Sequence, residues 1–277
     1  MALDTQITDN INTKLVNVNG LNISYSISGK NTFTDKKIIL IHSLALNKRF
    51  WDEVIKALNP HVEILVYDCR GHGQSDKPPG PYDLHQFAND LSNLLDHLGW
   101  HNNLIAGADM GGAVAMRFAI DYPTKISLLG LIGTCAWYGP DASKNWNDRV
   151  AKVKEHGFLS MVEFQKKRWV SEDFIEKNTA LMDQLTEVFL HNDIVGYTES
   201  CLMMGNIDLR KEISMIKVPT QILVGSDDQA TPIKMAEELN QLIPNSTLEI
   251  IESAKHLASI EKPLAVARHL LNLMNIN

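Results

Sequence analysis

Cysteine is scarce in this chain, with three residues, Cys69, Cys135 and Cys201, among 277. An odd number so widely spaced builds neither a disulfide framework nor a zinc site, and it fits a reducing, cytoplasmic compartment. A basic excess is missing too. Lys and Arg number 26 against 33 Asp and Glu, a formal charge of −7, which argues against a nucleic-acid partner. No apolar run approaches the roughly 18 residues of a membrane span. The opening stretch MALDTQITDN lacks the basic and apolar regions of a secretory signal. No dinucleotide fingerprint, P-loop or metal-ligand cluster occurs, so no cofactor and no metal is expected. His97 and His101 have helical ligand spacing, but Gly99 interrupts the helix between them.

What is there suits a folded domain. Hydrophobic residues make up 44% of the chain, enough for a sizeable core and too much for disorder. Lys14–Val18 and Leu21–Ser28 alternate around Asn19-Gly20, the strongest short hairpin signal. Strands are expected at Ile38–Ile41, Ile64–Tyr67, Asn103–Ala106 and Leu128–Ile132, and helices at Trp51–Leu58, Leu84–Leu98 and Gly111–Tyr122. From Trp137 to Ile213 the periodicity is helical only. Alternation resumes at Thr220–Gly225, Ile233–Leu242, Leu248–Ile251 and Pro263–Met274. This predicts an α/β fold, with a mostly parallel sheet covered on both faces. Residues 1–136 and 214–277 form its core. Residues 137–213 form a helical cap over the carboxyl ends of the strands, where ligands bind in such sheets.

The segment Asn103-Leu-Ile-Ala-Gly-Ala-Asp109-Met-Gly-Gly carries the chemistry. An apolar strand runs into Gly107-x-Asp109-x-Gly111 and then a small-residue helix, the setting of a nucleophile elbow. Side chains two residues either side of the nucleophile would collide, hence the glycines. The helix start points its free N–H groups at the site, and Met110 is placed to donate to an oxyanion. The usual nucleophile is serine. Here it is Asp109, a carboxylate that needs no base to activate it.

Three further segments complete the set. Ile39-Leu-Ile-His42-Ser43-Leu44 ends a strand where a second oxyanion donor belongs, and the Leu44 N–H is the expected donor. Ser43 is a pocket residue and His42 a structural one. Gly225-Ser-Asp227-Asp228-Gln-Ala-Thr-Pro232 follows a buried strand; its spacing selects Asp228 as the acid that orients a histidine, with Asp227 capping the loop. His256, in the loop after Leu248–Ile251, is the base. The chain order Asp109, Asp228, His256 is that of the α/β-hydrolase fold.

With these stretches in view, the chain resembles α/β-hydrolases over nearly its whole length and is most similar to 3-oxoadipate enol-lactonases of aromatic catabolism. The matching stretches are Ser43-Leu44, Tyr67-Asp-Cys-Arg-Gly-His-Gly-Gln-Ser75, Pro79-Gly-Pro-Tyr82, Leu94–Gly99 and Met110-Gly-Gly112. In the cap and beyond they are Arg168-Trp169, Gly196-Tyr197, Asp208-Leu209-Arg210 and His256-Leu257. The resemblance implies a cofactor-free ester or enol-lactone hydrolase acting on a small molecule, with Asp109 as an altered nucleophile or a general base beside His256. Asp at this position resembles dehalogenases and epoxide hydrolases instead, which attack a saturated carbon through an alkyl–Asp ester. A third reading is a binding protein or lyase on the same scaffold. Trp137 and Tyr138, directly after a strand, are expected to line the pocket. Trp146, Trp169 and Tyr197 read mainly as cap core. Arg168 is a candidate to hold a substrate carboxylate. Asp68 and Arg70 are read as fixing their loop, and Cys69 and Cys201 as buried small side chains.

Overall fold

The computed structural model describes residues 13–29, 36–59 and 61–275; the opening MALDTQITDN stretch lies outside them. Strands β1 (Thr13–Val18) and β2 (Leu21–Ser28) form the expected hairpin, with Asn19 at φ 52° and Gly20 at φ 83°. These left-handed values suit a two-residue turn and explain the Asn-Gly pair. Six more strands follow: β3 (Lys37–Ile41), β4 (Glu63–Tyr67), β5 (Asn103–Ala108), β6 (Ile126–Ile132), β7 (Thr220–Gly225) and β8 (Ser246–Ile251). They lie in the order β1-β2-β4-β3-β5-β6-β7-β8. Pairing is parallel from β4 to β8 and antiparallel at β1–β2 and β2–β4. Every residue of β5 and β7 is buried, as a sheet covered on both faces requires.

Helices α1 (Asp52–Leu58), α2 (Leu84–Leu98) and α3 (Met110–Asp121) connect the first strands. α2 illustrates how sequence sets an element. Asp83 and Gln86 form a reciprocal capping box at its start, and Gly99 at φ 64° ends it. Phe87, Leu91, Leu94 and Leu95 at helical spacing form its buried face. Truncating one, as in Leu91→Ala, costs about 2–5 kcal/mol.

Between β6 and β7 the chain leaves the sheet for α4 (Ala142–His156), α5 (Val162–Trp169), α6 (Glu172–Lys177), α7 (Thr179–Leu190) and α8 (Ile194–Gly205). After β7 come α9 (Ile233–Leu242), α10 (Ala258–Glu261) and α11 (Pro263–Leu273). The inserted helices are tied to the loops at the carboxyl edge of the sheet. The N–H of Leu257 donates to Trp169 O at 2.8 Å, and Asn192 Nδ2 donates to Ala45 O at 2.8 Å. Glu261 accepts from the Ser171 hydroxyl and N–H. Among the described residues, no helix is long and apolar enough to cross a membrane.

Candidate active site

β5 enters the turn at Asp109, whose backbone sits at φ 51°, ψ −114°. That conformation costs an L-residue about 1–3 kcal/mol and persists only where its surroundings impose it. Here they do. The Asp109 N–H donates to Ile132 O at 3.0 Å, and the Asp109 carbonyl accepts from Thr134 Oγ1 at 2.7 Å. A Cβ on Gly107 would lie 2.0 Å from Gly111 O, and one on Gly111 would lie 2.2 Å from Ile41 O. The two glycines are therefore a steric requirement of this bend.

The Asp109 carboxylate, almost wholly buried, divides its oxygens between two tasks. Oδ2 accepts from Ser43 Oγ at 2.9 Å and from the Leu44 N–H at 3.1 Å. Oδ1 accepts from the Tyr138 hydroxyl at 3.2 Å and lies 3.7 Å from His256 Nε2. The second distance is an ion-pair contact, longer than a formed hydrogen bond. Burial works against charge on Asp109. The interaction with His256, the Ser43 hydroxyl and the Met110 N–H outweigh it, and the carboxyl is held well below the usual carboxylate range.

His256 is clamped from behind, with Nδ1 3.0 Å from Asp228 Oδ2. Asp228 is fixed in turn: Oδ1 accepts from the N–H groups of Ala230 (2.7 Å) and Thr231 (2.9 Å), and Oδ2 accepts from Thr231 Oγ1 at 2.8 Å. Burial opposes charge on the imidazole, but the Asp228 carboxylate, with Asp109 adding to it, raises its pKa to about 10. The His256 ring thus lies between two carboxylates, an arrangement that favours its protonated form. Asp228 caps its own loop, a task the sequence assigned to Asp227. Asp227 is exposed, and among the described residues its side chain hydrogen-bonds the Ser226 hydroxyl, at 3.3 Å.

A cavity of about 400 Å³ opens over Asp109 and His256. Ser43 and Leu44 line it from the loop after β3, and Tyr138, Trp146, Arg149, Phe164, Arg168 and Trp169 from the segment inserted between β6 and β7. Trp137 does not line it: that ring carries the Arg210 guanidinium, 3.6 Å from its centre, and its backbone bridges to Asp208, so the expected pocket role is withdrawn. Trp146 and Trp169, read as cap core, are wall residues. Tyr197 is fully buried and accepts from Arg149 Nε at 2.7 Å. Sequence reasoning missed Arg149, because on a polar helix such as α4 one arginine looks like any other. The only available signal was its i+3 spacing from Trp146, whose ring it faces. His42 plays the structural part expected of it. Nδ1 lies 2.8 Å from Ser43 O, and Nε2 accepts the Cys69 N–H at 3.0 Å. Among the described residues, no cluster of three potential metal ligands occurs.

The comparison with known proteins agrees with this architecture. The model of the alpha/beta hydrolase fold family matches residues 36–263, and the chain belongs to that family. It is similar to 3-oxoadipate enol-lactonase 2 of Acinetobacter baylyi, 29% identical over 228 residues that span 82% of this chain and 84% of that protein. It is also similar to enol-lactonase 1 of the same organism, 28% identical over 90% of this chain and 91% of that one. The crystal structure of the enol-lactonase from Burkholderia xenovorans LB400 superposes with a TM-score of 0.89 at 29% identity, covering 95% of this chain and 100% of that one. The chain is a hydrolase, with ester or lactone hydrolysis the favoured kind.

Proposed function

We propose that the chain hydrolyses a small carboxylate-bearing substrate through a covalent ester on Asp109. One observation carries this reading: Oδ2 of Asp109 already occupies the oxyanion donors, while Oδ1 faces His256 and the cavity. An ionised carboxylate in that place leaves no room for a substrate oxyanion, since like charges so close repel strongly in a pocket of low dielectric. Attack at a saturated carbon avoids the conflict. Oδ1 displaces the leaving group, which departs with the bonding pair, and Oδ2 becomes the carbonyl oxygen of a neutral ester.

The charge change then prepares the second step. Once Asp109 is esterified, one of the two carboxylates holding a proton on His256 is gone. The proton passes to the leaving group or to solvent. Neutral Nε2 takes a proton from water as its oxygen attacks Cγ of Asp109. The oxyanion forms on Oδ2, against the Ser43 and Leu44 donors, and collapse releases the alcohol and restores the carboxylate. Asp228 stabilises the imidazolium whenever it forms. The bond broken is the alkyl–oxygen bond of an ester or lactone, a carbon–halogen bond or an epoxide carbon–oxygen bond.

The substrate's carboxylate is inferred from the cap. Arg149 and Arg168 line the same cavity, and among the described residues no carboxylate lies within 4 Å of either. Burial, and next the neighbouring charge of Arg149, lower the pKa of Arg168. Two half-buried guanidiniums without an acid suit an anionic ligand. A second reading, attack on the acyl carbon of an ester or lactone, is favoured by the similarity to enol-lactonases and requires Asp109 to leave its donors. Turnover of a panel of lactones, esters, epoxides and haloacids in ¹⁸O-water tests both. Label in Asp109 with turnover of haloacids or epoxides supports displacement. Turnover confined to acyl substrates supports the second reading, and an unlabelled Asp109 removes any covalent route.

A further inference from the structure

We infer that the Ser43 hydroxyl is a catalytic donor of the second chemical step, beyond the pocket-lining role its position first suggests. The inference rests on the covalent reading above. Ser43 Oγ lies 2.9 Å from Asp109 Oδ2, and the Leu44 N–H lies 3.1 Å from the same oxygen. The acceptor is a carboxylate, so the hydroxyl donates. Ser43 is 2% exposed, so water does not compete for this bond.

Its position is built rather than incidental. The Ser43 carbonyl accepts the Leu46 N–H at 3.2 Å and lies 2.8 Å from His42 Nδ1. The His42 ring is itself anchored by the Cys69 N–H. Because Nε2 accepts the Cys69 N–H it carries no proton, so the ring is neutral and Nδ1 donates to the Ser43 carbonyl; burial, which lowers the pKa of His42, acts in the same direction. Ala45 at φ 62° closes the turn, a left-handed value that an alanine adopts only under constraint. Two peptide groups and a fixed ring therefore set where the hydroxyl points.

The charge on Oδ2 changes along the reaction, and this gives Ser43 a directional effect. Oδ2 carries part of a charge in the free carboxylate, nearly none in the ester carbonyl, and a full charge in the tetrahedral species formed by water. A donor to Oδ2 stabilises the free carboxylate more than the ester, so it does not help the first step. It stabilises the tetrahedral oxyanion most, so it speeds the second. A merely structural serine would slow both steps together.

The test uses bromoacetate as an alkylating probe, with rapid quenching, intact mass measurement and peptide mapping of the adduct. In Ser43→Ala the adduct on Asp109 is expected to form at least as fast as in the wild type and to decay about 10²-fold more slowly. Ser43→Thr, which keeps the hydroxyl, is expected to restore decay. Decay of the Ser43→Ala adduct at the wild-type rate overturns the inference, and so does an equal slowing of formation and decay. In either of those cases, an adduct found on Asp109 of the wild type leaves the covalent reading standing. No adduct on Asp109 in any of the three proteins removes the covalent reading and this inference with it. Unfolding of Ser43→Ala is detected by its circular dichroism, and Ser43→Cys, with its weaker donor, then serves in its place and is expected to show the same one-sided slowing.

Discussion

Two glycine-rich loops at the carboxyl edge of the sheet each bury an aspartate, and the chemistry proposed above falls to only one of them. After β4, Asp68 is enclosed. Oδ1 accepts the Lys48 N–H at 2.7 Å, and Oδ2 accepts Lys48 Nζ and the Gln74 N–H, each at 2.9 Å. Gly73, at φ 49°, has no room for a Cβ because the Asp68 carboxyl lies 2.4 Å away. After β5, Asp109 is equally crowded on its backbone side, yet Oδ1 faces a cavity and the His256 ring. A buried charge satisfied on every side holds a loop, while one left with an open side is available to react.

The largest effects follow from exchanging these roles. Asp109→Asn removes the nucleophile, and turnover is expected to fall about 10⁴-fold or more with the fold intact. Asp68→Ala leaves the Lys48 ammonium buried and unpaired, and is expected to cost about 3–5 kcal/mol of stability while catalysis per folded molecule changes far less. Steady-state rates and urea unfolding of both variants decide this. If Asp68→Ala abolishes turnover at unchanged stability, the comparison between the loops fails.

Much of this contrast was legible in the chain. Gly107-x-Asp109-x-Gly111 is readable because the bend excludes side chains at fixed offsets, and steric exclusion leaves a trace in residue identity. Asp228 was readable from its distance to Gly225, where a Cβ would lie 2.2 Å from Ala254 O, and to Pro232. Lys48 and Arg149 were not. A buried lysine and a pocket arginine have the same letters as surface ones, and only their three-dimensional partners, Asp68 and Tyr197, set them apart. Trp137 was misplaced because following a strand fixes where a backbone goes, whereas the stacking of Arg210 decides where that ring sits.

The next effect is on pH dependence. The folded pKa of His256, about 10, lies above its ordinary 6.5. Its contribution to stability is therefore fully present below pH about 6.5 and is lost as pH rises through about 10. Asp109 is shifted the other way, so its contribution is present above the ordinary carboxylate value and is lost as acid titrates it. Removing the Asp109 charge should move the alkaline loss to lower pH. Urea midpoints of wild type and Asp109→Asn between pH 6 and about 10.5 test this. Superimposable alkaline profiles would mean that the imidazole does not sit between two carboxylates. Arg168→Gln should act more narrowly, raising KM about tenfold for a carboxylate-bearing substrate and leaving its neutral amide unaffected. Equal change for acid and amide would deny Arg168 a role in recognition.

The smallest expected effect is the sharpest within the acid loop. Asp227 and Asp228 are adjacent and chemically identical, yet β7 ends so that one carboxylate enters the protein and the other meets solvent. The backbone fixes this choice. The Asp227 N–H donates to Ala254 O at 2.9 Å, and a Cβ on Gly225 would lie 2.2 Å from that same oxygen. The loops after β7 and β8 are thus pressed together, which brings His256 to Asp228. Asp227→Ala removes only an exposed contact with Ser226, so stability should stay within about 0.5 kcal/mol and turnover should be unchanged. Asp228→Ala leaves His256 without its clamp and two N–H groups without an acceptor, so both stability and rate should fall. Equal losses in the two variants would show that the acid loop does not distinguish its carboxylates as this geometry requires.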